Sequence, residues 1–135
     1  MSDAGPRLER LDFIYTPSRD AAGDLAYLTK VLGGRAVFAV EAMGTRVAGI
    51  ELAPGSPLLL LAEHLEGERP ILVFRVGNLR DAMAAAETGG WVPEQTFEIP
   101  HGPCCSFRTP GDQRMALYQL TRPEAATHFE GRFDF

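Results

Sequence analysis

Gly33-Gly34 and Pro54-Gly55 in the first half of the chain return as Gly89-Gly90 and Pro110-Gly111 in the second. Both pairs recur at the same offset of 56 residues, from 33 to 89 and from 54 to 110. Glycine pairs and Pro-Gly pairs are the strongest local punctuators of a chain. Two kinds recurring at one spacing indicate a duplicated unit of about half the sequence. The residues between the marks agree. Before the first glycine pair, Ala22, Leu25, Ala26, Leu28, Thr29 and Leu32 form a helical apolar face closed by glycine. Before the second, Leu79, Ala82, Met83 and Ala86 repeat that pattern, with Asn78 placed to cap the helix.

A strand-like run precedes each helix, Leu11–Thr16 in one half and Ile71–Val76 in the other. Three more follow each glycine pair. The first half supplies 36–41, 46–52 and 58–64, and the second supplies 94–99, 104–108 and 115–120. Each Pro-Gly falls between the last two strands, a hairpin position. Each half therefore reads β-α-β-β-β. The expectation is a single α+β domain over 1–135, with units at 10–66 and 67–120 and a tail at 121–135. The tail carries His128, Phe129, Phe133 and Phe135, a group more often docked on a surface or a partner subunit than left free.

Composition narrows the function. A chain of 135 residues suits one domain with a real core. The net charge of −5 argues against nucleic-acid or anionic-membrane partners. Lys30 is the one lysine beside twelve arginines, and arginine is the better residue for two-pronged recognition of carboxylate or phosphate. The only cysteines, Cys104 and Cys105, are neighbours that point to opposite faces of a strand, so no disulfide framework is expected. That usage fits a reducing cytoplasm. Residues 1–10 are polar, so no signal peptide is expected, and the longest strongly apolar run, 58–62, is too short to cross a membrane.

The tandem β-α-β-β-β pair, with Lys30-Val31-Leu32-Gly33 closing the first helix and Thr109-Pro110-Gly111-Asp112 before the last strand, resembles the vicinal-oxygen-chelate superfamily. That superfamily is the glyoxalase, bleomycin-resistance and extradiol-dioxygenase group. The resemblance covers about residues 10–120 and implies curved mixed sheets around a cavity. Enzymes of the group hold a divalent metal there with up to four side chains from the first and last strands of each unit. Carried over to this chain, those positions are Phe13, Leu60, Ile71 and Ala116. None offers a lone pair, so neither a metal nor another cofactor is expected.

Strand alternation assigns the remaining cavity residues. Leu11, Phe13 and Tyr15 face inward from the first strand, and Leu58, Leu60, Ala62 and His64 from the fourth. Ile71, Val73 and Arg75 follow from the fifth strand, and Arg114, Ala116 and Tyr118 from the last. The residues expected at a ligand are Phe13, Tyr15, Leu60, His64, Ile71, Arg75, Arg114, Ala116 and Tyr118. Arg75 and Arg114 suggest a clamp for an anionic ligand, and Phe107 suggests the cavity face for Arg108 too, although its repeat partner Leu52 leaves that facing open. Arginines, tyrosines and histidines at such positions are as readily surface or core groups, and His101 and Cys104 as readily an inert loop and a buried thiol. Two classes of function follow. One is a metal-free small-molecule-binding protein of the sequestration or resistance type. The other is an enzyme using non-standard metal ligands (Asp12, Glu63, His64, His101) or metal-free acid–base chemistry. A homodimer is expected, with the sheet mouths or the aromatic tail at its interface.

Overall fold

The computed structural model describes residues 5–55 and 57–135. Its order is β1 (Arg10–Pro17), α1 (Ala21–Lys30), β2 (Arg35–Ala42), β3 (Thr45–Glu51), β4 (Leu58–Ala62), β5 (Ile71–Val76), α2 (Leu79–Glu87), β6 (Gln95–Ile99), β7 (Gly102–Arg108), β8 (Arg114–Gln119) and α3 (Ala125–His128). The strand–helix–three-strand pattern occurs twice, and a short third helix follows.

All eight strands join one mixed sheet in the order β2-β3-β4-β1-β5-β8-β7-β6. Within each half, the first strand pairs in parallel with the last, β1 with β4 and β5 with β8. The halves meet where β1 runs antiparallel to β5. The outermost strands, β2 and β6, nevertheless line one cavity through Phe38 and Phe97. The sheet must therefore curl, as the right-handed twist of strands favours, but its two edges do not pair with each other.

Both helices cover the convex face. Leu25 and Leu28 of α1 pack over Ala39, Ala48, Ile50 and Leu61. Leu79, Ala82 and Met83 of α2 pack over Val76, Cys105 and Leu117, with Trp91 and Phe107 beside them. Trp91 is an anchor of this core, its ring edge-on to Phe107 at 5.5 Å. Local chemistry fixes both helix starts. Asp20 accepts from the Gly23 amide and Asn78 from the Asp81 amide, each at 2.9 Å. Glu63 accepts from the Ala21 amide at 2.8 Å, so it caps α1, where its charge also suits the positive end of the helix. The two Pro-Gly turns differ in detail. The left-handed residue is Gly55 in the first and Asp112 in the second.

The tail docks on its own chain. Ala39 donates to the Arg132 carbonyl, Gly131 to Val37 and Asp134 to Ala39, so the segment runs along the free edge of β2. Phe129 packs on Phe38 at 5.9 Å, and Phe135 joins the α1 core with the Arg46 guanidinium 5.1 Å from its ring. Of the three tail phenylalanines only Phe133 is left exposed. The expectation that an exposed aromatic tail drives pairing of two chains loses most of its basis here, because β2 supplied an edge that needed covering. Among the described residues, no helix is long and apolar enough to cross a membrane.

Candidate functional site: a cavity inside the curved sheet

The concave face encloses a cavity of about 860 Å³. Its floor is the apolar cluster of Val73, Cys104, Ala116 and Tyr118 with Phe13 and Ile71 packed on it. Phe38 forms part of one wall, its ring packed against Gly49. A Cβ at that glycine would fall 2.4 Å from the ring, so the position admits no larger residue without moving Phe38. Pro123, Ala125, Ala126 and Phe129 close the side above β2 and β6.

Eight of the nine residues expected at the ligand line this space: Phe13, Tyr15, Leu60, His64, Ile71, Arg75, Ala116 and Tyr118. Arg114 does not. Its guanidinium turns back and donates to the carbonyls of Glu66 and Arg69 at 2.7 and 2.9 Å, tying down the turn before β5. Arg108 is likewise outside the cavity, paired with Glu94 and Asp112 at 2.9 Å each. Both sit beside the 109–113 turn that joins β7 to β8, where parity no longer decides what a long side chain touches.

One strand departs from simple alternation. The β1–β5 register slips between Leu11 and Phe13, leaving Asp12 as the extra residue of a bulge. A bulge puts consecutive residues on one face, so Asp12 and Phe13 both line the cavity while Leu11 does not. The same device in β2, between Ala36 and Phe38, turns Val37 and Phe38 inward together.

Asp12 is thereby the polar centre of the site. It is buried, accepts the Tyr118 hydroxyl hydrogen on Oδ2, and accepts from Arg10 Nε on Oδ1. Arg75 Nε lies 3.5 Å from Asp12 and 3.6 Å from Glu9, close enough to pair but without a hydrogen bond. Burial, with the Asp12 carboxylate beside it, pushes the Tyr118 phenol well above its ordinary value. Tyr118 therefore stays a neutral donor. At the other rim, Arg35 pairs with Glu51 at 3.2 Å and Glu130 at 3.8 Å. Every guanidinium that reaches the cavity thus already has a carboxylate, and the unpaired cation an anion clamp requires is missing from the described lining.

Two histidines complete the polar set. His64 Nε2 lies 3.0 Å from the Tyr15 hydroxyl and Nδ1 lies 3.4 Å from Thr45 Oγ1. His101 occupies the tight turn between β6 and β7, its ring 5.0 Å from Phe13 and 6.2 Å from Tyr118. Burial lowers the His101 pKa, the Asp12 carboxylate opposes that shift and Arg122 adds to it. Cys104 also faces the cavity, but burial pushes its thiol up to about 12, which makes it a poor nucleophile.

The donor set does not fit a metal. Phe13, Leu60, Ile71 and Ala116 all line the cavity and offer nothing to bind one. The alternative set of Asp12, Glu63, His64 and His101 does not assemble, since Glu63 is spent at the helix cap. Among the described residues, no group of three His, Cys, Asp or Glu side chains is arranged to hold an ion.

No protein-family model and no curated relative matches the sequence. Solved structures do. Methylmalonyl-CoA epimerase from Mycobacterium tuberculosis superposes with a TM-score of 0.70 at 16% identity, over 93% of this chain and 97% of that one. A hypothetical protein from Bacillus halodurans C-125 gives 0.69 at 12% identity, over 84% and 95%. The chain has the vicinal-oxygen-chelate fold. A Streptomyces coelicolor methylmalonyl-CoA epimerase in complex with 2-nitronate-propionyl-CoA shares this fold at a TM-score of 0.66 and 15% identity, over 86% of this chain and 100% of that one. Identities this low speak for the vicinal-oxygen-chelate architecture and not for a shared reaction.

Proposed function

We propose that this chain is a metal-free small-molecule-binding protein whose ligand is uncharged and mostly apolar. The observation that carries this reading is the cavity wall itself. The four positions that the resemblance assigns to a metal, Phe13, Leu60, Ile71 and Ala116, are apolar and all line one space of about 860 Å³. Apolar walls with a few placed polar groups are the ordinary make-up of a ligand site. The paired charges support an uncharged ligand. An anionic head would have to compete with Asp12 for Arg75 or with Glu51 for Arg35, and beside Arg75 it would sit next to the buried Asp12 carboxylate, where like charges repel. Members of the fold that sequester a small molecule would work in the same way, by enclosure without chemistry.

The test compares two dyes that differ by a single sulfonate. N-phenyl-1-naphthylamine, uncharged, is expected to bind chelator-treated protein saturably and more tightly than its anionic relative 1-anilinonaphthalene-8-sulfonate. Ala116→Phe, which fills the floor of the cavity, is expected to abolish binding of the uncharged dye. Tighter binding of the sulfonate, or a requirement for added metal, contradicts the reading.

A second reading, a metal-free acid–base enzyme, rests on the placement of His101 beside the Asp12–Tyr118 pair. Pairing into a homodimer belongs to the same proposal. The exposed apolar residues Tyr27, Val31 and Leu32 at the end of α1 support it better than the tail does. Light scattering that gives the mass of one chain at micromolar concentration would rule the dimer out.

A further inference from the structure

His101 is the one aromatic polar ring in the cavity with no hydrogen bond to its ring nitrogens among the described residues, whereas His64 is engaged on both sides. Its backbone, in contrast, is held on every side. Ile99 and Gly102 pair across the turn, so Pro100 and His101 are its only two loop residues. Proline fixes one of them. Gly102 follows at a φ of 154°, and a Cβ there would fall 2.0 Å from the Gln119 carbonyl, so no other residue fits. The His101 carbonyl accepts from the Thr121 and Arg122 amides at 3.0 and 2.9 Å. The Arg122 side chain then grips the same turn, donating to the carbonyls of Pro100 and Ile99 and to Glu98 at 2.7–2.9 Å.

A turn so thoroughly fixed aims an unpartnered imidazole between Phe13 and Tyr118. A half-buried polar ring that makes no hydrogen bond in the folded chain is poised to make one to something else. Resting on the reading of the cavity given above, we propose that His101 reads the ligand, and that the ligand is a flat aromatic molecule bearing a hydroxyl group. The hydroxyl both donates and accepts, so it satisfies a neutral imidazole in either tautomer. The aromatic body suits the tilted rings of Phe13 and Tyr118. Burial, which keeps the ring neutral, favours this mode over a charge-assisted one.

The experiment uses two probes, 2-naphthol and naphthalene, on the full chain and on His101→Phe, a change that keeps ring size and removes both nitrogens. The intact chain is expected to prefer 2-naphthol. In His101→Phe the affinity for 2-naphthol falls about five- to tenfold, the range of one lost neutral hydrogen bond, while naphthalene stays within about twofold. Equal losses for both probes, or no loss for either, overturn the role of His101. Failure of both probes to bind the intact chain overturns the cavity reading itself, so the two failures are distinguishable. Ring-nitrogen NMR of the unaltered protein keeps the test independent of whether the variant folds. The His101 resonances are expected to move with 2-naphthol and not with naphthalene, and no movement with 2-naphthol overturns the proposal.

Discussion

Tyr118 on β8 donates its hydroxyl hydrogen to Asp12 on β1, a residue that strand alternation assigns to the opposite face of the sheet. The bond ties the two halves of the chain together across β5. Asp12 also holds Arg10 and lies within pairing distance of Arg75. It is therefore the one buried carboxylate around which this end of the cavity is organised.

Asp12→Ala is expected to cost more than Tyr118→Phe. The first leaves Arg75 facing Glu9 alone and strands the Tyr118 hydroxyl, and a hydrogen bond to a charged group is worth about 1.5–3 kcal/mol. Tyr118→Phe removes one donor from a carboxylate that keeps its arginines. The two changes share a partner, so the double variant should be less destabilised than the sum of the singles. Urea unfolding of the four proteins measures this, and strict additivity would show that the bond is idle.

Acid sensitivity should carry a signature of His101. Its folded pKa is lowered below the ordinary value of 6.5 by burial, with Arg122 in the same direction and Asp12 against it. As pH falls through about 6.5 the unfolded chain takes up a proton that the folded chain refuses, so stability drops toward acid. The contribution is absent well above that pH, where both states are neutral. His101→Gln is expected to flatten the pH dependence of unfolding between about pH 7 and the folded pKa. An unchanged slope would mean the ring protonates as easily folded as unfolded.

The tail should behave as part of the fold. Amide hydrogens of Ala39, Gly131 and Asp134, which bond β2 to the tail, are expected to exchange together and more slowly than those of an exposed edge. Phe129→Ala, which removes the contact with Phe38 from a half-buried position, should cost about 1–2 kcal/mol. It should also raise the exchange rates of all three amides. Rapid exchange in the unaltered chain would show that the tail does not close the cavity.

Much of this architecture is legible in the sequence because it is written in punctuation and parity. Gly33-Gly34 and Gly89-Gly90 end helices, and the Pro-Gly pairs turn hairpins, regardless of what surrounds them. Leu59, Leu61, Phe74 and Leu117 reach the helices because period-2 alternation holds through straight strands. It fails at Asp12 and Val37, where a bulge inserts one residue. Nothing in Leu11-Asp12-Phe13 announces the bulge except an acid in an otherwise apolar strand. It fails again for Arg114 and Arg108, whose long side chains at strand ends find carbonyls and carboxylates outside the cavity. Neither the docking of the tail on β2 nor the anchoring of the 100–101 turn by Arg122 has a local signal, because both are long-range contacts.

Metal content follows from the wall residues. With Phe13, Leu60, Ile71 and Ala116 at the positions concerned, protein dialysed against buffer is expected to hold far less than one Zn, Ni, Fe or Mn per chain by elemental analysis. A stoichiometric metal that survives dialysis would point to donors the cavity wall does not provide.

The most direct measurement is a crystal structure of chelator-treated protein soaked with N-phenyl-1-naphthylamine. Electron density for the dye is expected inside the curved sheet, against Phe13, Ile71 and Tyr118, with Arg75 still facing Asp12 and no ion beside it. Dye found only on the outer surface, or a metal ion held by cavity side chains, would contradict it.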